Sequence, residues 1–255
     1  MNRMTKTVLT TTLVTLSLAA GQAMADARLV YVQSDTGKTM SIITIKNGVV
    51  RMDDKDGDGW VLFDSGTETL TTVDPESRSY TVLDKAAMEK LGNTVSDAMK
   101  QMQAQLESMP AEQRAMMESM LKKQFGISDD KVETSATRNG KTREIAGHTC
   151  EEVVFRMGNQ GETLLCVVPT EELGISAADA DAVAAMYRTM SQFAAELGNS
   201  IGISYSLPDV GGMPVYSRDS SDDAADILKR VETGSQPAAL FDIPAGYRQQ
   251  QVDFD

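Results

Sequence analysis

Apolar and polar residues alternate in short segments between residues 27 and 83, and turn residues separate these segments. Alternation with a period of two is typical of strands that bury one face. Asn47-Gly48, between two of the segments, is a strong signal for a two-residue hairpin. The pattern therefore predicts an antiparallel meander. Its strands are 27–33, 38–46, 49–53, 60–64, 68–73 and 79–83.

The apolar period changes to three or four residues between about residues 84 and 126. This spacing places apolar side chains along one stripe of a helix. Pro110 suits the first turn of a second helix, and Gly126 suits its C-terminal cap. We therefore predict a helical insert of two helices over residues 84–126. The two stripes are Val95, Ala98, Met99, Met102, Leu106 and Met109, then Met116, Met117, Met120, Leu121 and Phe125.

Strand patterns resume after this insert, and one more helix interrupts them. We expect that helix to begin at Ser176, because Asp179 completes a capping-box pattern, and Met186 and Met190 lie on its apolar stripe. The strands are predicted at 132–138, 141–145, 150–157, 163–168, 201–206, 214–219, 226–232 and 247–252. Since there is no composition break and no repeat, residues 26–255 are predicted to form one α+β domain. It would be a curved antiparallel sheet with helices gathered on one face.

Residues 1–25 have the features of a cleaved secretory signal peptide. Arg3 and Lys6 precede an apolar run over residues 8–20, and Ala23-Met24-Ala25 is a small-x-small cleavage site. The apolar run is too short to span a bilayer, which takes roughly 20 residues. No cysteine lies near the cleavage site, so we expect no lipid anchor. The predicted location is the periplasm of a Gram-negative bacterium.

The charge balance excludes several classes of partner. The chain has 24 basic and 37 acidic residues and a net charge of −13, which becomes about −15 without Arg3 and Lys6. This excess of negative charge disfavours nucleic acid and anionic membrane surfaces as partners. The sequence does not specify an oligomeric state.

Cys150 and Cys166 are the two cysteines of the chain. In an oxidising compartment an even pair most often forms a disulfide, and two free thiols are the alternative. A tight hairpin over residues 158–161 would place Cys150 opposite Pro169 and leave the pair out of register. A disulfide would then need a bulge or a wider loop.

We predict no catalytic residue and no cofactor. Residues 198–202 match Gly-x-Ser-x-Gly, but the predicted order there is helix and then strand, whereas a nucleophile elbow needs the reverse. The residues Asp54, Asp56 and Asp58 match the first positions of a calcium loop, but Ser65 stands where the bidentate glutamate belongs. An acidic turn is the plain interpretation, and a weak calcium site is the alternative.

The methionines, 16 in all, lie mostly on the predicted helices. Met99 with Met102, and Met117 with Met120, have an i, i+3 spacing that suits either Cu(I) binding or ordinary core packing. Methionine also lines surfaces that adapt to apolar ligands of varied shape. For such a cavity we predict the lining residues Val95, Met99, Met102, Leu106, Met117, Met120, Leu121, Met186 and Met190.

Four groups of residues carry a resemblance to known proteins: 49–53, 145–152, 165–175 and 240–247, the last reading Leu-Phe-Asp-Ile-Pro-Ala-Gly-Tyr. Together they resemble an exported bacterial family of unknown function, whose layout is similar to that of the LolA and LolB lipoprotein carriers. The resemblance implies a half-barrel of antiparallel strands closed by helices over a cavity for acyl chains. In the carriers an arginine of the sheet helps to latch the helical lid, and the resemblance implies Arg51 for this role.

The resulting functional hypothesis is a non-enzymatic periplasmic protein that binds or carries a hydrophobic ligand, such as a lipid, an acylated peptide or a lipoprotein, under its Met-rich helices. One alternative is a protein that handles Cu(I) or Ca²⁺. Another is a structural protein of the envelope whose acidic surface meets a partner.

Overall fold

The structure, a computed structural model, describes residues 26–55, 57–114, 116–117, 134–157, 161–196 and 210–251. These residues form an α+β fold with few helices and one large open sheet of twelve strands, which is mixed but mostly antiparallel.

Six consecutive strands form one half of the sheet as an antiparallel meander. They are β1 (Ala27–Gln33), β2 (Thr39–Lys46), β3 (Val49–Asp53), β4 (Trp60–Asp64), β5 (Thr69–Asp74) and β6 (Ser79–Leu83). Each confirms a predicted strand to within about one residue. Asn47 and Gly48 both have positive φ, 51° and 79°, as a two-residue hairpin between β2 and β3 requires.

The other half contains β7 (Thr134–Ile145), β8 (His148–Met157), β9 (Glu162–Val168), β10 (Met213–Asp219) and β11 (Asp226–Thr233). Pairing of β1 with β11 joins the two halves, so that the order is β12-β6-β5-β4-β3-β2-β1-β11-β10-β9-β8-β7. The short strand β12 (Arg248–Gln250) runs parallel to β6. The expectation of a wholly antiparallel sheet is therefore corrected at this pair.

The predicted strands 132–138 and 141–145 are one strand, β7, from Thr134 onward. Its register with β8 shifts between Arg138 and Thr142, so Asn139-Gly140 forms a bulge within one strand and does not separate two strands. The Asn139 side chain holds the bulge: its Oδ1 accepts from Lys141 N at 2.9 Å, and its Nδ2 donates to Glu152 Oε2 at 2.8 Å.

Two long helices are present in the described chain. Helix α1 (Lys85–Glu107) begins at Asp84, whose carboxylate accepts from Ala87 N at 2.8 Å. Helix α2 (Ala177–Glu196) begins after Ser176, whose Oγ accepts from Asp179 N at 3.0 Å, which confirms the predicted start. Within the described residues no helix has both the length and the apolar character needed to cross a membrane. The predicted strand 201–206 and the end of the predicted second helix lie outside the described residues.

The β1–β6 half of the sheet has two faces of different character. The face that we call the helix face packs against α2 and forms the main core. On the opposite, outer face, Arg28, Thr44, Arg51 and Leu62 follow one another across four paired strands. The helix-face core includes Leu29, Ile45, Val50, Phe63, Ala182, Val183, Met186 and Met190.

Residues 234–250, which we call the C-terminal segment, leave β11 and end at the far edge of the meander. The segment contains a 3-10 turn (Ala238–Phe241), a second turn closed by Tyr247 N donating to Pro244 O at 3.2 Å, and β12. Pro244 and Gly246 thus turn the chain before β12, which lies within the strand predicted at 247–252.

Candidate functional site

The first part of α1 is packed into the core. Leu91 is buried there and Met88 packs against the core, where α1 lies beside β6. Further along the helix, the predicted cavity residues Met102 and Leu106 are half-buried, as is Met109. The apolar stripe of α1 therefore continues to residues that are less buried than Leu91.

Arg114 fixes the turn that follows α1. Its guanidinium donates to the carbonyls of Leu106 at 3.0 Å, Glu107 at 2.8 Å and Met109 at 3.2 Å. These carbonyls end the helix and lack partners within it, so the arginine caps them. Residues 111–114 and 116–117 are helical again, as predicted from Pro110.

The exposed large apolar side chains of the described residues lie in this second helical stretch. Met116 is 67% exposed and Met117 is 38% exposed. These two residues and the half-buried apolar positions of α1 are the candidate apolar residues of this part of the chain, which we call the α1 patch. Its members are Met102, Leu106, Met109, Met116 and Met117.

The structure places the other predicted cavity residues apart from this patch or leaves them outside its description. Met186 and Met190 lie in the helix-face core, with 0% and 8% exposure. The side chains of Val95 and Met99, and the residues Met120 and Leu121, lie outside the described residues.

The two metal hypotheses stay predictions. One sulfur of each methionine pair, that of Met99 and that of Met120, lies outside the described residues, as does Asp56. Asp54 and Asp58 are exposed, and Asp54 Oδ1 accepts from Lys55 N at 2.6 Å. Over the described ranges, no group of three His, Cys, Asp or Glu residues is placed to hold a metal ion.

Arg51, the predicted latch of a helical lid, lies on the outer face of the sheet. Its Nε donates to Asp53 Oδ1 at 2.9 Å and its Nη1 to the carbonyl of Leu240 at 2.5 Å. The guanidinium carbon lies 4.3 Å from the centre of the Trp60 ring, in cation–π geometry. Arg51 therefore contacts the C-terminal segment, and its role as the latch of a helical lid stays a prediction.

The predicted disulfide between Cys150 and Cys166 is present, and both residues are in the helix-face core. The strands β8 and β9 pair with Glu152 opposite Cys166, one position away from the register expected for a tight hairpin. Cys150 and Cys166 consequently lie diagonally on the same face, with 5.3 Å between their Cα atoms. No bulge in β8 or β9 is needed, because the connection between the strands is wider than predicted.

The buried carboxylate of Glu152 was not predicted from the sequence. Only 4% of the residue is exposed, and its oxygens accept from Asn139 Nδ2 at 2.8 Å and from Arg143 Nε. The Asn139 hydrogen bond, together with the hydrogen bond and charge of Arg143, outweighs burial and lowers the pKa of Glu152. Nothing local marks this residue, since its partners lie across the β7 bulge.

Two clefts open on the described surface, and neither contains any of the predicted cavity residues. The first has a volume of about 340 Å³ and lies where β1 and β10 end and β11 begins. Burial, with the charges of Asp219 and Asp222, raises the pKa of Asp226 in this cleft. Its acidic lining residues are Asp35, Asp219, Asp222, Asp223 and Asp226.

The second cleft lies beside β7 and β8 and is shallower. Val153 and Val210, part of a small apolar cluster, form its floor, and Arg138 spans it by donating to Val210 O at 2.6 Å. Its other lining residues are Ala136, Thr137 and Gly211.

Comparison with known proteins identifies a family. A family model described as a domain of unknown function, DUF4412, matches residues 88–247. The match covers most of α1, the β7–β11 half of the sheet, α2 and most of the C-terminal segment. None of the curated proteins matches the chain.

Proposed function

The chain belongs to the DUF4412 family, whose function is unknown, and from its own residues we propose that it binds a hydrophobic ligand without catalysing a reaction. The proposed binding surface is the α1 patch. The proposed ligand is a lipid or an acylated peptide, and the proposed compartment is the periplasm.

The observation that carries this proposal is the exposure of the α1 patch. Soluble proteins rarely expose contiguous apolar surface without a partner for it. Here the apolar period of α1 continues past Leu91, the last buried residue among the described side chains of the helix, and ends in the exposed Met116 and Met117. Methionine side chains are flexible and polarizable, so they adapt to acyl chains of different length.

The physical basis of affinity would be the burial of apolar area. Each methylene of an acyl chain that leaves water contributes about 0.8 kcal/mol. Because the anchoring residues among the described side chains of α1, Met88 and Leu91, lie near its start, we infer that the end of the helix is the part that shifts to admit a ligand. This arrangement would correspond to the helical cover of a carrier-like half-barrel.

The proposal is tested with protein purified from the periplasm of its own host. Native mass spectrometry should detect a co-purifying lipid or acylated peptide, and the apolar dye N-phenyl-1-naphthylamine should bind the delipidated protein. The double change Met102→Gln and Leu106→Gln should weaken dye binding about tenfold, the equivalent of about 1.4 kcal/mol.

Met102→Leu is the matched control, because it keeps an apolar side chain of similar volume and removes the sulfur. Its dye affinity should equal that of the unmodified protein. If no lipid co-purifies and the dye does not bind, or if the glutamine variant binds as well as the control, the proposal fails.

The proposed export has a separate test. N-terminal sequencing of the periplasmic protein should begin at Asp26, directly before β1. A chain that starts at Met1 would contradict the proposed cleavage.

A further inference from the structure

The C-terminal segment crosses the outer face of the meander and is fastened at separate points. It leaves β11, passes Asp26 and Lys46 at the ends of β1 and β2, reaches Arg51 on β3 and pairs with β6. It thus spans the strands of the meander on the face opposite to α2.

The first fastening joins Asp26, Lys46 and Gln236. Asp26 Oδ2 accepts from the backbone N of Gln236 at 2.8 Å and from Lys46 Nζ at 2.6 Å. Lys46 Nζ also donates to the carbonyl of Gln236 at 2.9 Å. The backbone N and the carbonyl of Gln236 are therefore both held by charged side chains of the sheet.

The second fastening is Arg51. Its guanidinium lies over the ring of Trp60 and donates a hydrogen bond to the carbonyl of Leu240. Its side chain is only 13% exposed, so the hydrogen bond is largely shielded from water. The third fastening is the short β12, which Arg248 N begins by donating to Arg78 O at 3.0 Å.

Residues of the outer face are buried, whereas no residue of the C-terminal segment is. Thr44 and Val73 of the outer face are each 1% exposed, and Leu62 is 7% exposed. None of residues 234–250, all of which the structure describes, is buried. Its apolar residues Leu240, Phe241, Ile243 and Tyr247 are half-buried. The segment is therefore attached by polar contacts at a few points and by these partly covered side chains, without a fully buried apolar anchor.

Two donors of the outer face, Arg28 Nε and the indole Nε1 of Trp60, are buried and have no hydrogen-bond partner among the described residues. Such a donor costs free energy in the closed form, and water satisfies it when the cover opens.

We propose that the C-terminal segment is a detachable clasp, which opens as one unit from the outer face while the twelve-stranded sheet, apart from β12, stays folded. The clasp is a property of the fold that is independent of ligand binding at the α1 patch. Arg51 is its central positioning residue, and opening exposes Trp60, Leu62 and the edge of β6.

Hydrogen exchange measured by mass spectrometry tests the clasp in the unmodified protein. Peptides from residues 234–250 should exchange through an opening that leaves peptides of β2 and β4 protected, as expected for a low-stability local unit. If the segment exchanges only together with β2 and β4, there is no separate opening and the proposal is overturned.

Two variants test whether the segment moves as a unit. Arg51→Gln removes the central contact and should raise exchange over residues 234–250 roughly tenfold. Lys46→Met keeps the aliphatic stem but removes the ammonium, and it should raise exchange at Arg248 as well as at Gln236. A rise confined to the residues next to each substitution would contradict a single unit.

The fluorescence of Trp60, the one tryptophan of the chain, gives an independent readout. Lys46 makes its described contacts with Asp26 and Gln236, so Lys46→Met should raise acrylamide quenching of Trp60 only if the whole segment detaches. The matched control is Arg230→Gln, which removes an exposed arginine paired with Glu232 on β11 and should change neither exchange nor quenching. Unchanged quenching in Lys46→Met would refute the clasp.

Discussion

Met186 distinguishes core packing from ligand binding, because it was a predicted cavity residue and the structure places it in the core. The residue is fully buried between α2 and the sheet, among Ile45, Val50 and Phe63. Truncation of a buried methionine to alanine removes its transfer free energy and leaves a cavity, at a cost of about 2–5 kcal/mol. We therefore predict that Met186→Ala lowers the free energy of unfolding by this amount.

Met102→Ala provides the contrast, because Met102 is only half-buried on α1. Surface substitutions usually change stability by about 0.5 kcal/mol or less, so this variant should unfold close to the unmodified protein. Met186→Leu, which conserves volume, should cost less than about 1.5 kcal/mol.

Urea unfolding followed by far-UV circular dichroism and Trp60 fluorescence measures all three variants. For a chain of this size each kcal/mol corresponds to about 2–4 °C in Tm, so Met186→Ala should also lower Tm by roughly 4–20 °C. A loss below about 1 kcal/mol for Met186→Ala would mean that the side chain does not fill the core, because cavity formation alone costs more than that. Equal losses in Met186→Ala and Met102→Ala would refute the division between core and patch.

Three further predictions concern other parts of the fold. The double change Cys150→Ala and Cys166→Ala should lower the free energy of unfolding by about 3 kcal/mol, as expected for a loop of this length, and a loss under about 1 kcal/mol would contradict it. Gly212→Ala should cost about 1–3 kcal/mol in urea unfolding, because a Cβ there would lie 2.4 Å from Val168 O; an unchanged midpoint would contradict the close approach. Because the pKa of Glu152 is lowered in the folded state, its contribution is complete above the unfolded pKa of about 4.3 and is lost as pH falls through the lower folded value. Stability measured from pH 6 downward should therefore fall less steeply in Glu152→Gln, and parallel curves would contradict this.

The meander could be predicted from the sequence because its information is local. Each strand from β1 to β6 pairs with its neighbour in the chain, and the turn residues between them, such as Asn47-Gly48, set the register. The start of α2 was predicted for the same reason, since the Ser176–Asp179 contact spans three residues.

The pairings that could not be predicted are those between distant residues. β12 lies beside β6, although Arg248 and Ser79 are far apart in sequence and no turn connects them. The β1–β11 pair is of the same kind. The register of β8 with β9 differed from the expected one by one position. One extra residue in the connection is enough for this, and it moves every side chain of a strand to the other face.

The candidate site was predicted only in part, because an apolar stripe on a helix suits core packing and ligand binding equally well. Methionine in an i, i+3 or i, i+4 pattern marks a helix face, but the pattern does not say whether a sheet lies against that face. On α2 the sheet covers Met186 and Met190, whereas the described residues Met102 and Leu106 of α1 are only half-buried. Burial thus distinguishes the two helices where periodicity does not.

The two faces of the meander are closed by different physical means. On the helix face, Met186, Val50 and Phe63 exclude water by apolar packing, which is nondirectional and is lost only by separating α2 from the sheet. On the outer face, charged side chains hold peptide groups at a few points, and each such contact depends on the position of one residue, as at Arg51 and Lys46. The clasp proposed for the outer face therefore predicts that removing the charge of Arg51 or Lys46 opens this face at a smaller free-energy cost than separating α2 from the sheet.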